Sequence, residues 1–504
     1  MLLLLACARP PVDTDDTGLD RVVEGPLTLP EAQQCPSPAP TTTYTESGEA
    51  WGLLSPENTS LAHEEGPTIA SGDIDNDGLD DLVIVNVEGV SYAYRNTGTS
   101  FTATDLSSLL VPSLTLLLHD LDGDGDLDLM RGGSAPSSLT NEGGVFARET
   151  PLPNTATAGM LIHDFAPGDL DSDGVIELYM PLTYNFFDPT HPANDLVMVG
   201  SSGAYAYDAD AVPTEVGYRH SIDAVWFDAD GDLDQDVYVV NDFGMLYGAS
   251  TLLRNDGGTL SNAEDDCYCS VLKNAKGVDI DDYDADGRAD IFVSGNPSDT
   301  LLSQLEDGTF VDVTTLANAA AIDPDATGWG GIFLDYDNDG QRDLLPSQGD
   351  RWNDGNDHLR FDAPLKLLRQ QDGVYADVSL EMGITAVGSF RAVSALDFNR
   401  DGVEDLLVTS MDGRPLLYLS DGCTEAGWLE VEAPVGSVVQ VETGGRTQTN
   451  WVKTDSGYQS HRPPRVHFGL GSAQTVDKLT VTLVDGTTFS ATEFAARRRI
   501  VIEG

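Results

Sequence analysis

The chain has 504 residues, 40% of them hydrophobic, with 51 Gly and 26 Pro; that length exceeds one ordinary domain and predicts either several units or one large, turn-rich repeat architecture. With 84 Asp and Glu against 26 Lys and Arg, the formal net charge is −58. Such a surface repels phosphate backbones, and no concentrated basic patch offsets it, so nucleic acid is excluded as a partner.

The chain opens Met1-Leu2-Leu3-Leu4-Leu5-Ala6-Cys7. Leu4-Leu5-Ala6-Cys7 resembles the lipobox of bacterial lipoproteins, which implies a signal over residues 1–7 and acylation of Cys7. The alternative is an ordinary N-terminus with a free or buried thiol. Residues 8–45 follow as a Pro/Thr/Asp tether, with Pro10-Pro11 and Pro36-Ser37-Pro38-Ala39-Pro40, too poor in apolar surface to order itself and expected to be disordered. No apolar stretch reaches bilayer-spanning length, so membrane attachment is expected only through a lipid anchor. The expected location is extracytoplasmic, as a bacterial outer-membrane or cell-surface lipoprotein, or alternatively secreted. Beyond Cys7 the cysteines are Cys35, Cys267, Cys269 and Cys423. They lack zinc spacing and allow three disulfide pairings or free thiols; a Cys35 to Cys423 bridge would join the two ends of the acidic region.

Residues 46–425 contain one acidic motif seven times. Its successive carboxylates are Asp73, Asp75, Asp77 and Asp81; Asp120, Asp122, Asp124, Asp126 and Asp128; Asp169, Asp171, Asp173 and Glu177; and Asp228, Asp230, Asp232, Asp234 and Asp236. Then come Asp282, Asp284, Asp286 and Asp290; Asp335, Asp337, Asp339 and Asp343; and Asp397, Asn399, Asp401 and Asp405. Positions 1, 3, 5 and 9 are acidic in 27 of 28 instances, Asn399 being the exception. Alternate carboxylates in a tight loop offer the hard oxygen donors that Ca²⁺ takes, with a backbone carbonyl expected from position 7 and glycine permitting the turn at position 6. Without metal, two carboxylates 4 Å apart repel by about 4 kcal/mol at an effective dielectric near 20. Up to seven Ca²⁺ are therefore expected.

An EF-hand needs Glu at position 12 and flanking helices. That position holds Ile84, Arg131, Met180, Val239, Val293, Pro346 and Val408, which excludes it. Apolar runs before and after each loop, such as Ala224-Val225-Trp226-Phe227 and Val237-Tyr238-Val239-Val240, predict a β-hairpin clipped by metal. Motif starts fall 47 to 62 residues apart, room for four short strands. The expected fold is thus all-β: a seven-bladed β-propeller followed by a small C-terminal β domain over 426–504. That last region has eight basic and eight acidic residues, so the whole net charge resides in residues 1–425.

The loop and its following strand resemble the FG-GAP or VCBS repeat of integrin-like propellers. Gly457-Tyr458-Gln459-Ser460, His467-Phe468-Gly469-Leu470-Gly471 and Val476-Asp477-Lys478-Leu479 resemble the ASPIC/UnbV domain. Together they are similar to the cartilage acidic protein family, with Asn241-Asp242-Phe243-Gly244 and Gly328-Trp329-Gly330 fitting as well. The resemblance implies calcium loops, extracytoplasmic placement and a binding or adhesive role, and no established reaction.

No nucleophile elbow, phosphate loop or dinucleotide fingerprint occurs, and no catalytic residue is assigned. His467 reads as structural, and Arg497-Arg498-Arg499 as a solvated edge. Two long loops opposite the acidic ones, residues 182–194 and 347–361, carry Tyr184, Phe186, Phe187 and His191, and Arg351, Trp352, His358 and Arg360. Aromatics beside Arg suit recognition, so Tyr184, Phe187, Arg351 and Trp352 are the candidate contacts for a protein or carbohydrate ligand at the cell surface. The alternative is that these aromatics pack their own loops. The expected function is a calcium-binding adhesion or binding module; the competing class is a propeller-based polysaccharide hydrolase or lyase.

Overall fold

The computed structural model describes residues 29, 31–33, 43–54, 66–86, 91–110, 113–152, 159–184, 194–201, 204–208, 211–213, 219–320, 323, 326–349, 362–411, 415–420, 422 and 425–502. Cys7, Cys35, Cys423, Phe186, Phe187, His191, Arg351, Trp352, His358 and Arg360 lie outside them. Among the described residues the protein is all-β, with three helices of a single turn each.

Each acidic motif joins the first two strands of one antiparallel four-stranded unit. In sheet one the strands are Thr68–Gly72, Asp81–Val85, Tyr92–Asn96 and Phe101–Asp105. Sheet four shows the same order in Ser221–Phe227, Asp236–Asn241, Thr251–Asn255 and Leu260–Asn262. Sheets two, three, five and six repeat it around the loops at 120, 169, 282 and 335. The first two strands of sheet four are buried along their whole length, which explains their unbroken apolar sequence: neighbours cover both faces. Fourth strands are more exposed, with only Tyr375 buried in Val374–Asp377.

Sheet seven is composite. Phe390–Leu396, Asp405–Ser410 and Leu416–Ser420 come from its own repeat, and the outer strand is Tyr44–Glu46, paired with Tyr44 opposite Ser420. The end of the segment read as tether is therefore a strand. Tyr44 is 4% exposed and joins the cluster with Tyr336 and Tyr418, a burial that a Pro/Thr composition average conceals.

Consecutive sheets face one another like propeller blades, and each facing pair shares an apolar cluster. Sheet seven also shares one with sheet one, through Leu396, Leu407 and Leu417 against Ile69, Leu82 and Ile84.

The C-terminal region forms two sheets over one core that includes Leu429, Val441, Phe468, Leu479 and Ile500. One sheet holds Gly427–Glu432, Arg465–Gly471 and Arg498–Val501; the other holds Val438–Thr443, Arg446–Trp451, Thr475–Thr482 and Thr488–Ala495. Between them the chain makes an excursion. Ser460–His461 leaves this unit and pairs in parallel with Thr68–Gly72, Ile69 opposite Ser460. Tyr458 packs on Trp329 of sheet six at 5.4 Å between centroids, and Lys453 Nζ contacts Asp279 Oδ1 of sheet five at 3.1 Å. A stretch from the C-terminal unit thus touches the first strands of separate sheets.

Candidate metal centres

The seven loops share one backbone. Position 4 is left-handed in all of them (Asn76, Gly123, Ser172, Gly231, Ala285, Asn338, Arg400), and so is position 6. Six of the position 6 residues are glycine; the seventh is Leu233 at φ 76°, a conformation that costs an L-residue about 1–2 kcal/mol.

That backbone aims the carboxylates. In loop one, Asp73 accepts from Asp77 N at 3.0 Å and Gly78 N at 2.7 Å, and Asp77 Oδ1 accepts from Leu79 N at 2.9 Å. The position 9 carboxylate turns back and accepts from the position 2 amide in every loop, from Ile74 N to Asp81 through Phe398 N to Asp405. In six loops it also accepts from the third strand, as from Asn96 N to Asp81 Oδ1 at 2.6 Å. These bonds bring Asp73, Asp75 and Asp81 together with donor oxygens within 4.8 Å of one another, and likewise Asp120, Asp122 and Asp124; Asp169, Asp171 and Glu177; and Asp228, Asp230 and Asp236.

Burial pushes Asp81, Glu177, Asp236, Asp282 and Asp335 up to about 7 and Asp290 to about 8, with neighbouring carboxylates adding to the rise. Asp343, Asp397 and Asp405 are raised further for the same reasons. Arginines relieve part of the repulsion at position 3: Arg95 to Asp75 at 2.8 Å, Arg254 to Asp230 at 3.1 Å and Arg369 to Asp337 at 2.8 Å. These cross-strand cations supply part of the counter-charge at the loops for which the sequence reading named Ca²⁺. Even so, Asp75 Oδ1 and Asp337 Oδ1 are buried with no hydrogen-bond partner. Hard anionic oxygens, preset by backbone amides and with orphaned oxygens among them, fit a calcium ion.

The loops differ. In loop seven Asn399 Oδ1 accepts from Asp401 N at 3.0 Å and Ser420 Oγ donates to Asp401 Oδ2 at 2.6 Å, so fewer oxygens remain for metal. Loop six abuts the C-terminal unit: Gly469 N donates to Asp335 Oδ2 at 3.1 Å, and His467 Nε2 lies 2.6 Å from Asn338 Oδ1. His467, stacked on Trp428, fills the structural role read from the sequence. Arg465 clasps Asp80, at position 8 of loop one, at 2.7 and 3.0 Å.

One device escaped the sequence reading. A residue at or next to the end of the third strand reaches back to the position 2 carbonyl of the preceding loop: Asn141 to Ile74 O, Asn255 to Leu170 O, Gln304 to Ala229 O and Gln370 to Tyr283 O. Asn96 makes the corresponding bond from sheet one to Phe398 O of sheet seven at 3.0 Å. Its signal was present as an Asn or Gln two residues after Tyr94, Leu139, Leu253, Leu302 and Leu368.

Of the candidate ligand contacts, Tyr184 ends the strand Leu182–Tyr184, paired with Met160–Ile162; Phe187, Arg351 and Trp352 are outside the described residues. Cys267 and Cys269 are disulfide-bonded to each other around a left-handed Tyr268, so neither is available to Cys35 or Cys423. Arg499 is engaged by Glu432 at 2.5 Å, within the strand Arg498–Val501, which corrects the reading of a solvated run between strands.

The FG-GAP-like repeat family matches residues 73–131 and 282–345, covering loops one, two, five and six. The ASPIC and UnbV family matches residues 431–504. The chain therefore carries FG-GAP-like repeats and a C-terminal ASPIC/UnbV domain. No curated protein matches it. Among solved structures it is similar to BBS1N in a complex with ARL6DN, at 12% identity and TM-score 0.45 over 75% of this chain and 97% of that one. A lectin from Agrocybe aegerita that recognises non-reducing terminal N-acetylglucosamine matches at 13% identity and TM-score 0.33 over 82% and 88%. The rhamnogalacturonan lyase PL11 of Bacillus licheniformis matches at 13% identity and TM-score 0.39 over 74% and 76%.

Proposed function

We propose that the chain is a closed seven-bladed β-propeller of the cartilage acidic protein type, whose acidic loops bind Ca²⁺ and whose opposite rim binds a protein or carbohydrate at the cell surface. Ring closure is supported by the apolar cluster between sheets seven and one and by the Asn96 bond across the same junction. The observation that carries the calcium reading is the common loop geometry, with carboxylates from positions 1, 3 and 9 gathered in loops one, three and four. Calcium supplies positive charge there and fixes the turn between two strands; the loops hold it, and the ligand face lies elsewhere. Cys7 is the proposed lipid attachment, and the residues between it and Leu29 are the spacer, since Leu29 packs on the C-terminal core and Gln33 N donates to Arg497 O at 2.9 Å.

The test is thermal unfolding with Ca²⁺ and with chelator. At 100 times its dissociation constant the ion adds about 2.7 kcal/mol per independent site. A large chelator-induced fall in Tm, reversed by Ca²⁺, is expected; identical melting in both conditions would overturn the reading.

A further inference from the structure

A second cluster of metal-type ligands lies outside the acidic loops, across the short strand Ala166–Gly168 from loop three, where the excursion of the C-terminal unit meets sheets three and four. His461 Nε2 sits 3.0 Å from the Phe165 carbonyl oxygen, 3.1 Å from Asp455 Oδ1 and 3.3 Å from Asp164 Oδ1. Asp164, Asp455 and His461 are each 3% exposed or less, and their donor atoms all fall within 4.8 Å of one another. Asp223, 2% exposed, adds a third buried carboxyl beside Asp164, held by Val278 N at 2.9 Å and Ala224 N at 3.0 Å.

The charges do not balance. Three carboxylates face one imidazole, and the other cation acting on Asp455, Lys453, is already paired with Asp279 at 3.1 Å. Even with the imidazole protonated and one proton shared between the hydrogen-bonded carboxyls of Asp164 and Asp223, one negative charge remains uncompensated in a buried site, where an unpaired charge costs several kcal/mol. Asp455 Oδ2 is buried without a hydrogen-bond partner. The three oxygens lie 3.0 to 3.3 Å from His461 Nε2, a spacing that ligands held about 2.0–2.2 Å from a common ion can have.

We propose that Asp164, Asp455 and His461 bind one divalent transition-metal ion, with the Phe165 carbonyl as a further oxygen donor and Asp223 orienting Asp164. An imidazole among carboxylates selects manganese, iron, cobalt or zinc over calcium and magnesium, whose preference is for oxygen alone. The site differs in class from the acidic loops and does not depend on their occupancy. Because Asp164 precedes sheet three while Asp455 and His461 belong to the C-terminal excursion, the ion would pin the two regions together.

The test uses the full chain in saturating Ca²⁺, so that the loops are filled. Metal is stripped with 1,10-phenanthroline, Mn²⁺ is restored, and the protein is desalted and assayed for manganese. One equivalent is expected, and pulsed electron paramagnetic resonance should show coupling to an imidazole nitrogen. Asp455→Asn and His461→Gln should each weaken retention at least tenfold with the circular dichroism unchanged. Folded wild type that retains no Mn²⁺, Co²⁺ or Zn²⁺, or manganese without nitrogen coupling, would overturn the proposal and leave a cluster balanced by protons. The nitrogen coupling is read in wild type, so it decides between these outcomes even if both variants misfold.

Discussion

Asn255→Ala probes the bond that links one sheet to the loop of the one before it. The side chain is 1% exposed. Its amide donates to Leu170 O at 2.8 Å and Gln235 O at 3.1 Å, and its Oδ1 accepts from Gly258 N at 2.9 Å. Alanine keeps the backbone bond to Asp236 Oδ1 but leaves two buried carbonyls and one amide without partners. At a net value near 1 kcal/mol for each, the loss is about 3 kcal/mol. Taking an unfolding entropy of ~2.1 cal/mol/K per residue over roughly 400 folded residues, that loss lowers Tm by only about 4 °C. Urea unfolding at constant Ca²⁺ is therefore the better assay, with exposed Asp256→Ala as the control in the same turn. Asn255→Asp should be at least as damaging as alanine, since it aims a carboxylate at two carbonyl oxygens. A change below about 0.5 kcal/mol in Asn255→Ala, too small for three lost bonds, or an aspartate variant milder than alanine, would refute the reasoning.

Further outcomes follow from the same structure. His220 packs against Phe243 at 5.3 Å and Tyr247 at 6.1 Å, and burial lowers its pKa to about 4 against a partial offset from Asp242. A depressed folded value means that its contribution to stability is complete above the unfolded pKa near 6.5 and is lost as pH falls from there through about 4. Stability of wild type minus His220→Gln should show that decline, and an NMR titration midpoint at or above the ordinary value of about 6.5 would contradict it. Phe187→Ala and Trp352→Ala should each weaken glycan or protein binding by about 1 kcal/mol or more while leaving calcium-dependent melting nearly intact; lowered Tm with binding spared would make these aromatics packing residues. Cys7→Ser should release the chain from membranes, and wild type already soluble and unacylated when expressed with its own leader would remove the lipid anchor.

The repeat was legible because its information is local. A D-x-D-x-D motif, two left-handed positions and an apolar strand on each side specify a hairpin within about a dozen residues, without reference to the rest of the chain. Loops such as Asp73 to Asp81 and their flanking strands therefore stand where the local pattern places them. Long-range partners left weaker traces. Tyr44–Glu46 pairs with a strand more than 370 residues later in the chain, and nothing in its neighbourhood distinguishes those three residues from the tether before them. Asn96, Asn141 and Asn255 look like ordinary turn residues until the preceding sheet supplies the carbonyl.

Composition determined an acidic, turn-rich chain, and the spacing of its carboxylates with the apolar runs on either side determined where the loops and their strands lie. Only tertiary structure decided which charges meet. Arg95, Arg254 and Arg369 reach across strands to position 3 acids, and Arg465 crosses between regions to Asp80. His461 and Asp455, six residues apart in a neutral domain, gain Asp164 and Asp223 as neighbours only because the excursion reaches the first strand of sheet one. Coulomb interactions depend on distance through space, and a buried carboxylate acquires its character from groups that folding brings within a few ångströms.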